Sequence, residues 1–559
     1  MGRLAGLAAV ACAPLLLGAN TDQGVSYVLT PAVKNGRLSH VAVELRFRGD
    51  QDGETELVMP DKGGEDRPWP GASALSVRGG KLQPQAGAYR VLRHRPGAAL
   101  TVRYRIEAEQ REDPGPNAEL YAPVIRPNWF HLIGEAGFAY PRGRNEAPAR
   151  FRWGAQPRGW TLASDMDHFS SSRAGRVADV VGSVSLGAPD LRVARREVDG
   201  QPLRIAMRGQ WRFTPEHFDT ETTKVVRAVN AFWGGRGRPY LITLIPFGKG
   251  DANGVRSEGA GRDDAFAFGA TTNLEYEDRR RTLAHEYLHT WIPSELGNWR
   301  EGDDEGLDKW FGEGFADFYA ARILLRAGLW SPEDFIRELN DLLGRYAGSP
   351  GRSLTNAQVA AAYFKDGDIR DLAYMRGELF AMLLDHRLRE RGLGLDWVMR
   401  AQHKRALAEP RGSGTPAGVL FPRVLREYGG AMGTDLLTRH IENGEPILLP
   451  AEMFGRCARV ETRPLYSMGF SISGGKVKDL NPSSPAYAAG LREGDPVRRE
   501  PGDSWRPEIS FRIGDGVEPR RAAFVRAPVP GSAVQRVVLT ADRSSESHAA
   551  CTRRLSGTA

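Results

Sequence analysis

Cysteine is almost absent: three in 559 residues. None sits in a Cys-x-x-Cys pair or beside a metal-spaced histidine, which argues against a cysteine-built metal site or a thiol nucleophile. Lysine is scarce too, ten of 76 basic residues against 69 acids, so the net charge of +7 is carried by arginine. No run of five or six basic residues interleaved with aromatics occurs, which argues against a nucleic-acid groove. Beyond the first nineteen residues no apolar run approaches the roughly twenty that span a bilayer. Internal repeats are missing as well. What is present is an ordinary globular composition, 41% hydrophobic and 26% charged, long enough for three or four domains.

The first nineteen residues stand apart. Arg3 is followed by an apolar stretch over 4–17 and a small residue, Ala19, before the polar Asn20-Thr21-Asp22-Gln23. This is the pattern of a cleaved signal peptide, 1–19, and predicts an exported protein, periplasmic or secreted. Export leaves Cys457 and Cys551, and an oxidising compartment permits them to pair, although two cysteines carry no pattern that requires it.

Period-two alternation in Val41–Arg48 and Leu100–Ile106, punctuated by Gly, Pro, Asn and Asp, predicts a β-rich domain over 20–200. Thr214-Pro215-Glu216 then opens a helix, and Tyr240–Ile245 reads as a buried strand. Helices dominate from Leu274 to about Arg400, with Ser331-Pro332-Glu333-Asp334 a clear helix start. The boundaries that follow are a catalytic segment over 201–330, a helical part of the same unit over 331–450, a β module over 453–545 and a tail over 546–559. The fold class is multidomain α+β.

The segment Leu283-Ala284-His285-Glu286-Tyr287-Leu288-His289 carries the chemistry. Four apart on a helix, His285 and His289 share a face, so two imidazoles can converge on one Zn²⁺. Glu286 is placed to take the proton of an attacking water. For 11 histidines and 69 acids in 559 residues, chance yields roughly 0.03 such patterns. The alternative is a pair of surface histidines on an amphipathic helix.

A third ligand lies in Trp310-Phe311-Gly312-Glu313-Gly314-Phe315-Ala316-Asp317-Phe318-Tyr319. Glu313 is an acid in an apolar stretch, where an unpaired carboxylate is costly and a cation relieves it. Asp317, one turn on, can accept the outer ring N–H of a zinc histidine or be a solvated helix acid. Glu295, Glu301 and Glu305 are rival ligands in a polar connection.

Together, His-Glu-Tyr-Leu-His-Thr-Trp and the later Gly-Glu-Gly-Phe-Ala-Asp-Phe-Tyr resemble the gluzincin zinc metallopeptidases. The nearest resemblance is to the glycyl aminopeptidase family, whose members have a thermolysin-like catalytic domain and a C-terminal PDZ domain. Tyr374-Met375-Arg376-Gly377 is similar to that family's Tyr-x-Lys-Gly helix. Ser483–Asp495, ending in Gly-Leu-x-x-Gly-Asp, is similar to a PDZ segment. The resemblance implies His285, His289 and Glu313 as ligands of one Zn²⁺, Glu286 as general base, and Tyr374 as donor to the developing oxyanion. In related aminopeptidases a Gly- and Glu-containing strand binds the substrate's free amine; here the stretch Gly259–Phe266 offers Asp263, beside Arg262. Met468-Gly469-Phe470 is a candidate for the PDZ carboxylate-binding turn, the alternative being a domain that only packs on the catalytic part. The reading is an aminopeptidase acting on peptides with small N-terminal residues such as Gly or Ala. An endopeptidase indifferent to the free amine and a non-catalytic PDZ-based peptide binder are the alternatives.

Overall fold

A computed structural model describes residues 24–558, apart from 61–72, 85–88, 108–119, 170–173, 236, 251–254, 301, 410–413, 474, 500–505, 515–519 and 541–544. The expected signal segment lies outside the described residues. Alternating side chains make β1 (Val25–Lys34), β2 (Arg37–Arg48) and β3 (Ala99–Glu107) consecutive antiparallel neighbours inside a six-stranded sheet. Val41, Val43, Leu45 and Phe47 face one side of it and share a core with Leu57 and Leu92 of a four-stranded sheet. A further sheet contains β4 (Trp129–Ile133) and β5 (Val184–Ala188). Its Trp129, Val184 and Leu186 pack with Ala260, Ala265 and Ala267, which joins the β-rich region to the next unit.

That unit begins with β6 (Arg192–Val198), β7 (Gln201–Met207), α1 (Pro215–Trp233), β8 (Tyr240–Pro246), β9 (Ser257–Gly261) and β10 (Ala265–Ala270). The strands lie in the order β6-β7-β8-β10-β9. β7, β8 and β10 run parallel, whereas β9 turns back as the antiparallel edge strand. The start of α1 is local chemistry: Thr214 accepts from the His217 N–H, and Pro215 takes the first helical position.

The helices are α2 (Arg280–Leu288), α3 (Lys309–Arg326), α4 (Pro332–Gly348), α5 (Gly367–Arg389), α6 (Leu395–Leu407) and α7 (Ala417–Leu437). Ser331 and Asp334 form a reciprocal capping box on α4. Helices α3 and α5 touch through Gly314 and Gly377; a Cβ on Gly377 would fall 1.9 Å from the Trp310 carbonyl oxygen. Only residues without side chains allow that approach, and it sets the helix of Tyr374 against the helix of Glu313. One continuous core runs from Val198 through the helices to Leu555, so sheet and helices form a single packed unit.

Beyond it, β11 (Ala458–Ser467), β12 (Glu508–Ile513) and β13 (Ala527–Leu539) introduce a second β-rich region. β11 and β13 form an antiparallel ribbon rooted in the main core at Ala458 and Val537. β12 contributes Phe511 to a small separate core with Val477, Leu491 and Ala522. The segment expected to be a tail is instead α8 (Ser545–Ser556). Its polar sequence conceals an apolar face four residues apart, Cys551 and Leu555, which are buried in the main core. Cys551 is disulfide-bonded to Cys457 across 94 residues, Cα to Cα 5.0 Å. Among the described residues no helix is long and apolar enough to cross a membrane.

Candidate active site

Helix α2 is short, and His289 occupies its C-cap with φ −59° and ψ −19°. Those values are still helical, so the spacing to His285 survives and the two rings lie 4.7 Å apart at an 84° angle. Each ring has one nitrogen committed: His285 Nδ1 to Asp317 Oδ1 at 3.0 Å, and His289 Nδ1, which donates to the Ile292 carbonyl at 2.8 Å. Both Nε2 atoms are thereby turned to the same point. Glu313 Oε2 lies 3.4 Å from one and 3.3 Å from the other. All three side chains are buried, and among the described residues they form the one His/Cys/Asp/Glu cluster tight enough for a metal ion, with donor atoms within 4.8 Å of one another.

The electrostatics follow from burial opposed by close charges. Desolvation penalises the Glu313 carboxylate, but His289, His285 and Lys309 outweigh it and hold its pKa well below the usual range. Desolvation likewise disfavours ionised Asp317, and Arg281 with His285 reverses the balance. Arg281 Nη2 is 3.3 Å from Asp317 and 2.7 Å from Glu378, so the acid behind His285 is itself held. Of the rival acids, Glu295 pairs with His403 at 3.1 Å and Glu305 with Lys309 at 2.8 Å, while Glu301 lies outside the described residues.

Glu286, next to His285, reaches across to the edge strand, where its Oε2 accepts the Gly261 N–H at 2.9 Å. A side chain at Gly259 could not coexist with it, because a Cβ there would lie 2.6 Å from Glu286 Oε1. Tyr374, on α5, has its ring 6.0 Å from that of His285 and nearly parallel to it, and its hydroxyl accepts from Tyr363 at 3.4 Å. Asp263 sits in the exposed turn after β9; against burial, Asp264 first and Asp263 after it raise the pKa of Arg238. Its neighbour Arg262 instead turns inward, pairs with Glu135 at 2.7 Å and lies over the Tyr121 ring. Met468 and Phe470 pack against the small C-terminal core, and the Gly469 N–H donates to Ser467 Oγ at 3.1 Å.

Sequence reasoning noted Arg262 but missed its partners Tyr121 and Glu135, and it missed Trp299 behind His289 at 5.3 Å and the buried Lys309. Only the lysine had a local signal, its position one turn before Glu313.

Residues 278–373, which hold α2, α3 and the three clustered donors, match the model of the M61 glycyl aminopeptidases. This segment is similar to the M61 family. The donors suit zinc: two imidazole nitrogens and one carboxylate oxygen converge, three of the four donors a tetrahedral zinc takes. The whole chain has the fold of an aminopeptidase N family protein from Idiomarina loihiensis, at 16% identity and a TM-score of 0.68 over 95% of this chain and 100% of that one. An M1 zinc metallopeptidase from Deinococcus radiodurans is less similar, with 17% identity and a TM-score of 0.49 over 77% and 95%. Its mutant bound to a Tyr-Ser-Ala substrate gives 18% and 0.48 over the same shares. No curated protein matches the chain.

Proposed function

We propose that this protein is an exported aminopeptidase that removes small N-terminal residues, such as glycine or alanine, from peptides. One observation carries the reading: a metal-capable His-His-Glu set, Glu286 and Tyr374 meet beside an edge strand, inside a unit of the glycyl aminopeptidase type. His285, His289 and Glu313 would hold the zinc, with Asp317 orienting His285. Bound there, zinc polarises the scissile carbonyl and lowers the pKa of water toward about 7.

Glu286 accepts the proton of the attacking water as its oxygen bonds to the carbonyl carbon. It then returns the proton to the leaving nitrogen as the peptide bond breaks. The Gly261 N–H fixes the carboxylate for both transfers. Tyr374 donates its hydroxyl to the carbonyl oxygen as negative charge develops there. An extended peptide can lie along the outer edge of β9, the last strand of the sheet. The ammonium of such a substrate needs an anion at this end of the cleft. Asp263 is the acid that the sequence offers. Glu135, held by Arg262, is another, and Arg262 lies close enough to Glu286 to feel its charge.

Export is supported by the apolar leader-like residues 4–17 and by the Cys457–Cys551 disulfide. The module over 453–545 would act as a PDZ-like element that takes a peptide C-terminus beside Met468, Gly469 and Phe470. Its support is the turn leading into the strand Ser471–Ser473 and the short helix Pro485–Ala488.

The test is a digest of defined peptides, free and N-acetylated, with and without chelator, read by mass. Wild type should shorten the free peptides one residue at a time, and chelator should stop it. Glu286→Gln should keep stoichiometric zinc and lose cleavage. Full activity in that variant removes the assigned base. Equal cleavage of acetylated peptides makes the protein an endopeptidase, and no chelator-sensitive cleavage leaves the peptide binder.

A further inference from the structure

The helix of Glu313 also carries a buried cation that the reaction as described does not use. Lys309 lies one turn earlier on α3 and is only 7% exposed. Its Nζ is 2.8 Å from Glu305 Oε1 and 3.7 Å from Glu313 Oε1. Three rings surround the ammonium: Trp299 at 5.1 Å, Tyr363 at 5.4 Å and Phe364 at 5.9 Å. Such rings present their negative faces to a cation and hold it without a hydrogen bond.

The two oxygens of Glu313 therefore have different neighbours. Oε2 faces both histidine Nε2 atoms, while Oε1 faces the ammonium. Two of the three rings lead back to the site as well. Trp299 packs on His289 with centroids 5.3 Å apart, and Tyr363 donates to the Tyr374 hydroxyl at 3.4 Å.

We propose that Lys309 is a positioning residue that draws Glu313 Oε1 aside, so that Glu313 presents a single oxygen to the metal and the fourth position stays open. The proposal rests on the assignment of His285, His289 and Glu313 as the ligands. A carboxylate free to rotate can offer both oxygens to one ion, and the second would occupy the place the attacking water needs. At 3.7 Å the lysine makes an ion pair rather than a direct hydrogen bond, so it acts through its charge. A compact ammonium suits this task, since a guanidinium would reach past the cage and bind both oxygens in a fork.

Lys309→Met keeps the aliphatic stem in its cage and removes the charge. Two readings decide the proposal: zinc affinity by competition with a chromophoric chelator, and the visible spectrum of the Co²⁺-substituted protein. The variant should bind zinc more tightly, by roughly 10-fold, since it loses a like charge beside the ion and gains the second Glu313 oxygen as a donor. Its cobalt bands should lose intensity, as the second Glu313 oxygen enters the coordination shell as a fourth protein donor, and kcat should fall with KM little changed. Unchanged affinity and an unchanged spectrum overturn the role of Lys309. A wild-type protein that binds no stoichiometric zinc overturns the ligand assignment instead. Metal-free melting checks that the variant folds. If it does not, Glu305→Gln decides alone: it leaves the lysine charge undivided for Glu313 and should weaken zinc binding by roughly a few-fold with the cobalt spectrum kept, while unchanged affinity overturns the proposal.

Discussion

Tyr374 keeps its proton because its surroundings are apolar or negative. Burial first, then Glu313, Tyr363 and Glu286, push its pKa well above that of a free phenol. A neutral hydroxyl can donate to an oxyanion, and a phenolate cannot. Tyr374→Phe retains the ring against His285 and removes the donor. The expected result is a fall in kcat of about 10²–10³ with zinc content unchanged, measured by steady-state kinetics and metal analysis. Residues of this kind were legible where their relation is local. His285 with His289, and Glu313 with Asp317, are four apart on one helix face, and no tertiary information is needed to pair them. Lys309 was legible only in part: its place one turn before Glu313 is local, but the three rings that cage it gather only on folding. Asp263 shows the converse: its sequence position suggested a cleft acid, and the hairpin geometry leaves it in an exposed turn while Arg262 points inward.

Short elements carry strain of an electrostatic kind in the β-rich region. The 3₁₀ turn Asp165–His168 begins with a buried carboxyl whose Oδ1 accepts the Val184 N–H of β5 at 2.8 Å. Burial raises its pKa to about 8 despite that bond. The folded form therefore retains a proton that the unfolded chain releases near 3.8. Its contribution to stability is complete below that pH, declines as pH rises toward about 8, and is flat beyond. Asp165→Asn removes the titration. The melting temperature of wild type relative to the variant should fall across this window, measured by calorimetry at successive pH values; a constant difference refutes it. Element starts such as Thr214-Pro215 and Ser331-Pro332 were readable because capping is a matter of four residues. The crossing of α3 and α5 at Gly314 and Gly377 was not, since a glycine in a helix says nothing about which backbone will approach it.

Across the whole molecule the C-terminal helix closes the main core. Residues Cys551 and Leu555 of α8 join it, Arg326 of α3 donates to the Ser556 carbonyl at 2.9 Å, and the disulfide ties the helix to Cys457. Closing a loop of 94 residues is worth about 4–5 kcal/mol at most in the chain-entropy picture. Cys551→Ser should lower the melting temperature by several degrees while zinc content at 25 °C stays the same. A dithiol reductant should bring wild type down to the variant and leave the variant unmoved. Equal melting of the two proteins would mean that the bridge adds nothing.

From its residues alone the chain marked its candidate chemistry: the metal-capable spacing, the acid beside it proposed as base and the acid one helix later are short-range patterns on regular backbone. Tertiary structure decided the rest. It took folding to lay β9 across Glu286, to turn the rings of His285 and His289 by occupying their outer nitrogens, and to seat a lysine behind Glu313. The strand and Asp317 stand 25 and 32 residues from the side chains they hold; packing sets such pairings, and it leaves no periodic trace of the partner in the sequence.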